Sequence, residues 1–376
     1  MRHTHATRPH ARTLAISLLA VLTLWFLSGP RPAAAVEIVP NKLSVNGFFD
    51  THIAYNLYDS GTTGLEVDHW VTMVNWRVSP RVRFFGDITL EHGTHYDEHG
   101  QNGDIKTRAF VQFQHSDAFK AAAGNFQSPF GHYNQVHDAV IAFTTVDLAD
   151  AFYADRQVGV DALGTPVHSH LYAREAAGVW LSGHALPVEN WGLRWDLYAI
   201  NGEVRDGRNP AQADDNANKG IGLRTEFELP AGLHLGASWY SERHGGLGTD
   251  PTLPAPAGAE RRALAAEAEW QIGPLNLQGE QLWSRVESYP VPLAPIPFVQ
   301  PDTHAMGQYA TASVAFGAVI PYIRQERYRN RWFDDTYEAF SAGVAMRASP
   351  GAVIKFQHKA VARADDVSEA QLAVAF

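Results

Sequence analysis

Apolar and polar side chains alternate along this chain in successive segments of about ten residues, the spacing expected of strands that cross a bilayer. In segment 82–91, for example, Val82 and Ile88 alternate with Arg83 and Asp87. Because neighbouring side chains of a β-strand point to opposite faces, each segment predicts a strand with one apolar and one polar face. The pattern therefore predicts an all-β chain.

Two kinds of connection, short and long, alternate along the chain between these segments. Short turns rich in Gly, Pro, Asn and Asp lie near 79–80, 115–118, 187–190, 230–232, 273–274, 317–318 and 349–351. Longer, more polar connections lie at about 56–66, 92–104, 128–166, 202–218, 242–260, 288–303, 329–336 and 361–366. This alternation predicts sixteen antiparallel strands, an even number as in bacterial barrels. Because segment 119–127 is weakly patterned, fourteen strands is the alternative.

The apolar face of these strands is predicted to contact lipid. The chain holds 10 Trp, 13 Tyr and 19 Phe residues, although its mean hydropathy is only −0.22. A membrane barrel combines these values because only alternate residues face lipid, whereas a helical span would need a continuous apolar run of about 20 residues. A soluble all-β protein can share them. We predict that residues 36–376 form a transmembrane antiparallel β-barrel.

Residues 1–35 match a secretory signal peptide. Arginines up to Arg12 supply its positive end, an apolar stretch covers 14–27, and the small residues at 33–35 predict cleavage before Val36. A membrane anchor helix is the alternative, but the stretch is shorter than the roughly 20 residues that a span needs. Cleavage removes four arginines and no acidic residue, which leaves 26 basic and 40 acidic side chains and a formal charge of −14. That charge argues against a nucleic-acid partner.

The last segment of the chain alternates and ends in an aromatic residue. Ala370, Leu372, Val374 and Phe376 fall on one face. This segment resembles the last strand of bacterial outer-membrane barrels, in which the final Phe resembles a tag read by the barrel-insertion machinery. The resemblance implies a Gram-negative outer-membrane location, contact with outer-membrane lipid and lipopolysaccharide, and recognition of Phe376 by that machinery.

Two short motifs indicate a particular group of these barrels. Residues 124–131, Gly-Asn-Phe-Gln-Ser-Pro-Phe-Gly, resemble the G-x-F-x-x-P-F-G stretch of the phosphate-selective porin O and P family. Residues 198–202, Tyr-Ala-Ile-Asn-Gly, resemble a strand end before an outer loop of that family. The resemblance implies a passive diffusion channel for small hydrophilic solutes or ions, assembled as a homotrimer, without catalysis and without a cofactor.

The longest connection, at about 128–166, is the third of the long loops and contains several apolar residues. Long loops in compact domains are usually functional. In sixteen-stranded porins the third outer loop folds into the barrel, so the resemblance implies a constriction here; an extra strand pair or a surface helix is the alternative. Candidate pore-lining residues are Asp138, Asp147, Asp150, Asp155 and Arg156 in the loop, and Arg83, Lys106, Arg108, Arg224 and Glu226 on the wall.

The charges of this loop differ from those of the resembled family. Phosphate selectivity in that family uses a ladder of inward Arg and a cluster of Lys, whereas residues 128–166 contain Arg156, no Lys and five Asp. The predicted inward wall residues are balanced in charge. Charged groups around a channel bias permeation, so we predict a weak cation preference and keep an anion (phosphate) channel as the alternative.

Three other functions compete with a channel. Segment 91–99 is rich in His and carboxylates, which are good ligands for zinc, copper or nickel, but a polar outer loop explains it without a metal. A hydrolase would need a Ser, a His and an orienting group, and the sequence has no G-x-S-x-G motif. A closed structural or adhesive barrel is the third alternative.

Overall fold

The computed structural model describes residues 36–55, 63–91, 105–136, 144–146, 149–153, 156–160, 164, 166–188, 190–201, 219–243, 260–291, 294, 296–364 and 366–376. The predicted signal peptide, residues 92–99 of the His-rich segment, and the candidates Asp138, Asp147 and Asp155 lie outside these ranges. Within them, none of the helices is long and apolar enough to cross a bilayer.

The described part of the chain consists almost entirely of strands. They are β1 (Val36–Val39), β2 (Leu43–Tyr55), β3 (Thr63–Arg77), β4 (Val82–Glu91), β5 (Ile105–Gln114), β6 (Lys120–Gln127), β7 (Arg156–Val160), β8 (Pro166–Ser169), β9 (Glu175–Val188), β10 (Trp191–Asn201), β11 (Lys219–Leu229), β12 (Leu233–Arg243), β13 (Glu260–Ile272), β14 (Leu275–Val286), β15 (Tyr289–Val291), β16 (Phe298–Gln300), β17 (Thr303–Val314), β18 (Val319–Asn330), β19 (Asp335–Ser349), β20 (Ala352–Val361) and β21 (Val367–Ala375). The helices are α1 (Gly131–Val136), α2 (Asp150–Tyr153) and a 3-10 turn, Pro230–Gly232.

Sixteen of the described strands, β2–β6, β9–β14 and β17–β21, form a closed antiparallel barrel. Each pairs with its neighbours in chain order, and β2 pairs with β21 from Phe48↔Ala375 to Tyr55↔Ser368. We call this closing pair the seam. Beyond the end of β21, Val36 of β1 pairs with Val45 and continues the ladder. The prediction of a sixteen-stranded barrel is confirmed.

Two Ala-rich segments are both strands. β6, in the weakly patterned segment, pairs with β5 on one side and β9 on the other. The Ala-rich β13 pairs along its length with β12 and β14. Backbone pairing satisfies N–H and C=O groups whatever the side chains are, which is why neighbouring strands hold these segments extended. The fourteen-strand alternative is therefore wrong.

Side chains alternate between the two faces of the wall as predicted. In β11, Leu223 is 43% exposed and the next residue, Arg224, is 3% exposed. Trp70, Trp76 and Trp270 are 41–49% exposed and belong to the outward set. Outward apolar and aromatic side chains over a polar interior are typical of membrane barrels.

The connections at the two ends of the barrel differ in length, as the sequence indicates. Seven short connections, including the 3-10 turn, lie at one edge, which we call the turn edge. The other connections lie at the opposite edge, called here the loop edge.

The seam is fixed at the turn edge by the last residue. Gly47 N donates to Phe376 O and Phe376 N donates to Gly47 O, each at 3.0 Å. A Cβ at position 47 would lie 2.7 Å from Cζ of the Phe376 ring. Glycine thus leaves the space in which the terminal ring closes the wall.

The third long connection folds into the barrel. It contains α1, α2 and the hairpin of β7 and β8, and its backbone contacts inward-facing wall side chains. Residues 166–169 pair with residues 156–160 and therefore belong to the loop. The next barrel strand, β9, begins at Glu175, so the connection extends beyond the predicted end at 166. The strand pair and the helix considered as alternatives are both present, but as parts of the inward-folded loop.

Candidate functional site

The beginning of the third loop is anchored to the wall through one carboxylate, Glu280 of β14. Glu280 is 4% exposed. Tyr133 N of α1 donates to Glu280 Oε1 at 2.5 Å, and the Tyr309 hydroxyl of β17 donates to the same oxygen at 3.0 Å. One carboxyl oxygen therefore accepts hydrogen bonds from both the loop and β17, and Glu280 ties α1 to β14 and β17.

Gly131, the last residue of the family-like motif, allows the loop to turn against the wall. Its N–H donates to Ser238 Oγ of β12 at 2.9 Å. Its φ is +66°, and a Cβ there would lie 2.8 Å from Glu280 Oε2. Left-handed backbone costs residues other than Gly roughly 1–2 kcal/mol. Both the conformation and the space therefore require glycine here.

Aromatic side chains fill the space between the loop and the wall. Phe130 stacks on Tyr172 with ring centroids 4.4 Å apart and planes 24° apart. Phe152 of α2 packs on Tyr172 at 5.8 Å and on Tyr309 at 6.0 Å. Each of these rings is buried, and burial of a large apolar side chain contributes about 1.5–3 kcal/mol. These contacts account for the apolar residues of the loop.

A second anchor joins α2 to three other strands of the wall, β18, β19 and β20. Lys359 Nζ lies 2.6 Å from Asp150 Oδ2, and the Tyr337 hydroxyl donates to the same oxygen at 3.0 Å. Ala151 N donates to Glu326 Oε2 at 3.1 Å. Asp150 thus balances a lysine of the wall.

The same wall holds the short segment before α2. Lys355 Nζ donates to Thr145 O at 2.9 Å, and Arg324 Nη1 donates to Thr145 Oγ1 at 3.1 Å. Both cations are at most 1% exposed. Because a buried charge is stable only when it is paired and hydrogen-bonded, these contacts fix the loop on the wall.

Arg156, the other charged loop candidate within the described residues, stacks on aromatic rings. Its guanidinium carbon lies 4.5 Å from the Tyr328 centroid and 5.1 Å from the Tyr337 centroid. Its Nη2 donates to Asp150 O at 3.0 Å. Cations over aromatic faces are attracted by the ring quadrupole, and here this contact holds the start of β7.

Arg224 of β11 is surrounded by carboxylates on the inner wall. Its Nη2 lies 2.5 Å from Glu226 Oε2 and also contacts Glu267, and its Nη1 lies 3.9 Å from Asp196 Oδ2. On the far side of Glu226, His234 Nδ1 lies 3.1 Å from Oε1. One guanidinium therefore faces three acidic side chains.

A cavity of about 530 Å³ separates α1 from this wall. The acidic residues among its described lining are Asp196, Glu226, Glu267, Glu269 and Glu280, and the basic ones are Lys120, Arg194 and Arg224, with His132, His184 and His234 beside them. Carboxylates thus outnumber Lys and Arg by five to three. The described lining is therefore richer in acidic than in basic side chains, with three histidines among them.

One group in this lining has the spacing of metal ligands. Donor atoms of Glu226, Glu228 and His234 lie within 4.8 Å of one another. Both carboxylates are already held by arginines, Glu226 by Arg224 at 2.5 Å and Glu228 by Arg194 at 2.5 Å. Those cations compete with a metal ion, so the geometry favours an ion-pair network.

The described candidates from the sequence fall into separate places. Arg224 and Glu226 are paired on the cavity wall, and Asp150 and Arg156 are joined at the second anchor. Arg108 is bound to Asp87 with Nη2 and Oδ2 2.7 Å apart, and to Gln127. The remaining wall candidates are Arg83, exposed near the turn edge, and Lys106, which lies in β5.

Sequence reasoning missed the neutral and histidine members of the site. Ser238 accepts a hydrogen bond from the first residue of α1, and Tyr309 donates one to Glu280. His184 and His234 line the cavity. Their inward register in β12, β17 and β9 was the available signal. The wall candidates chosen from the sequence were all Arg, Lys or Glu, so these neutral and histidine side chains were not among them.

Three solved structures share this architecture. OmpF of Salmonella typhi, in complex with daunomycin, has a TM-score of 0.59 at 12% identity, over 91% of this chain and 100% of that chain. An anion-selective porin from Comamonas acidovorans has a TM-score of 0.57 at 11% identity, over 89% and 99%. A trimer form of OmpT of Vibrio cholerae has a TM-score of 0.55 at 10% identity, over 89% and 99%.

These neighbours establish the barrel fold of the chain. No protein-family model matches the sequence, and no curated protein matches it either. The resemblance of residues 124–131 to the phosphate-selective porin O and P family therefore stays a prediction.

Proposed function

We propose that the chain is a porin, a passive diffusion channel for small hydrophilic solutes or ions across a Gram-negative outer membrane. The observation that carries this proposal is the third loop, tied to the inner wall by Glu280 on one side and Lys359 on the other beside a charged cavity. A loop held in this way narrows a lumen and leaves a polar path along it. Under this proposal the chain needs neither a catalytic residue nor a cofactor.

The proposed channel prefers cations weakly. Five carboxylates against three Lys and Arg side chains in the cavity lining support this preference, and the formal charge of −14 after signal cleavage acts in the same direction. An anion (phosphate) channel remains the second candidate, because the 124–131 motif resembles a phosphate-selective family and one neighbour is an anion-selective porin.

The proposed setting of the channel has four parts. Residues 1–35 direct export and are removed, Phe376 is read by the insertion machinery, the outward face contacts lipid and lipopolysaccharide, and three copies assemble into a homotrimer. The trimer form of OmpT among the neighbours supports the last of these. The outward aromatic side chains support the lipid contact.

Planar-bilayer recording of the refolded mature chain tests the proposal. Stepwise single-channel currents are expected, and in a KCl gradient the reversal potential should have the sign of K⁺ preference. A folded, heat-modifiable barrel without conductance would instead favour the closed structural or adhesive barrel. A reversal potential of the opposite sign would favour the anion channel.

A further inference from the structure

A cleft on the outer surface of the barrel collects basic and aromatic side chains. It lies at the loop edge of β12 to β18, has a volume of about 620 Å³, and is lined by Trp239, Arg262, Trp283, Arg285, Arg329 and Arg331 among others. Trp239 and Trp283 are 41% and 42% exposed. The cleft therefore opens away from the lumen and is separate from the cavity beside α1.

The strand register stacks a basic row on an aromatic and apolar row. Arg262 pairs with Arg285, and Arg285 pairs with His304. Two residues nearer the turn edge, Trp283 stands between Leu264 and Met306 in the same way. Like charges directly opposite one another destabilise a sheet, so a row of this kind favours a bound anion.

Of the four arginines that line the cleft, two are ion-paired and two have side chains that can contact such an anion. Arg262 is paired with Glu260, and Arg285 with Asp302, at 2.7 Å and 2.5 Å. The hydrogen bonds from Arg285 lower the pKa of the Asp302 carboxyl, so that carboxylate stays charged and balances Arg285. The backbone of Arg329 pairs with Met306 and Thr336, but within the part of the chain that the structure describes the side chains of Arg329 and Arg331 make neither a hydrogen bond nor an ion pair, and both are exposed.

The position of the cleft between the turn edge and the loop edge indicates which anion it meets. Aromatic side chains of membrane barrels gather where the hydrocarbon meets the headgroups. The basic row lies two residues, about 7 Å of strand, farther toward the loop edge. Arg331, one residue beyond the Asn330–Ala305 pair, lies near this row, whereas Arg329 lies opposite Met306 in the aromatic and apolar row. In an outer-membrane barrel the long loops face the cell exterior, so this row lies at the headgroups of the outer leaflet. Arginine is well suited to phosphate because its planar fork donates two parallel hydrogen bonds.

We propose that this cleft binds the phosphorylated glucosamine headgroup of lipid A, with Arg329 and Arg331 contacting a phosphate and Trp239 and Trp283 lying beside the sugar and acyl chains. The inference rests on the outer-membrane location in the proposed function, and it is independent of conduction. It assigns a role to a basic patch on a chain that is acidic as a whole.

Native mass spectrometry of the refolded full barrel in detergent, titrated with purified lipid A, tests the site. The double variant Arg329→Gln with Arg331→Gln should bind roughly tenfold more weakly or worse, since two charge-assisted contacts are lost. The matched control is Arg81→Gln with Arg347→Gln, which removes two exposed arginines near the turn edge. Equal affinities of the two double variants would overturn the proposal.

Two further arms distinguish the source of the phosphate. Lipid A stripped of its phosphates should bind the unaltered barrel roughly tenfold more weakly, and equal binding would overturn the phosphate contact. Inorganic phosphate at millimolar concentration should leave lipid A bound; displacement would identify a free-phosphate site instead. Single-channel conductance is recorded on the same samples, so a barrel that binds lipid A without conducting contradicts only the porin proposal.

Discussion

Replacing Glu280 by alanine is expected to release the start of the third loop. The substitution removes the acceptor shared by Tyr133 N and the Tyr309 hydroxyl, both of which are buried. Leaving a buried donor unsatisfied costs about 1–3 kcal/mol. The two donors together weaken docking by about 2–6 kcal/mol, and the lower end corresponds to roughly a thirtyfold rise in the undocked fraction.

A single reactive thiol can measure this release, because the chain contains no cysteine. Ala149 lies in the loop and is 0% exposed, so Ala149→Cys should react slowly with a maleimide while the loop is docked. In the Glu280→Ala background the labelling rate should rise at least roughly tenfold, and single-channel current noise should rise with it.

Glu269→Ala is the matched control. It removes another carboxylate of the same cavity, whose recorded partner is Asn276 at 2.9 Å. Each variant removes one carboxyl group from the cavity lining, but of the two only Glu280 touches the loop. Equal labelling of Ala149→Cys in both backgrounds would refute the role of Glu280 as an anchor.

Three further predictions concern the wall, the seam and the cavity. Val74→Arg places a charge on the outward face and should lower the free energy of unfolding by about 2–4 kcal/mol if the residue lies near mid-membrane; in urea titrations the inward-facing Asn75→Arg should be nearly neutral, and equal losses would contradict the face assignment. Gly47→Val fills the space of the terminal ring, so heat-modifiable mobility on gels should reveal less folded barrel, whereas wild-type yield would disprove the steric argument. In a KCl gradient, Glu269→Gln should lower and Lys120→Gln should raise the K⁺ preference; shifts of the same sign would argue against cavity control of selectivity.

Much of the barrel could be predicted because its rules are local. Side-chain alternation assigns faces within each strand, and Gly and Pro mark most turns, so the Ala-rich β13 could be recognised from its period of two. β6 was harder, since Ala and Gly dominate it and its identity comes from pairing with β5 and β9. Its extended form is a property of its neighbours rather than of its own side chains.

The site could be predicted only in part, because its contacts join distant parts of the chain. Asp150 was a candidate for facing permeating ions, yet it is bound by Lys359, which lies 209 residues later in the sequence. The predicted loop end at 166 is too early, because residues 166–169 pair with residues 156–160 in a hairpin outside the barrel sheet. Periodicity predicts the face of a residue, but it does not predict which charges meet across the lumen.

The seam also imposes an order on assembly. Phe48 pairs with Ala375, so the closing ladder joins two segments that are far apart in the sequence, whereas the hairpins between them join near neighbours. By the logarithmic law of loop closure, bringing such distant segments together costs about 5 kcal/mol of chain entropy. Hairpins can therefore form early and closure comes last, and until then β2 and β21 are two unpaired edges able to join other chains. The interval before closure is therefore when the chain exposes the most unpaired backbone N–H and C=O groups.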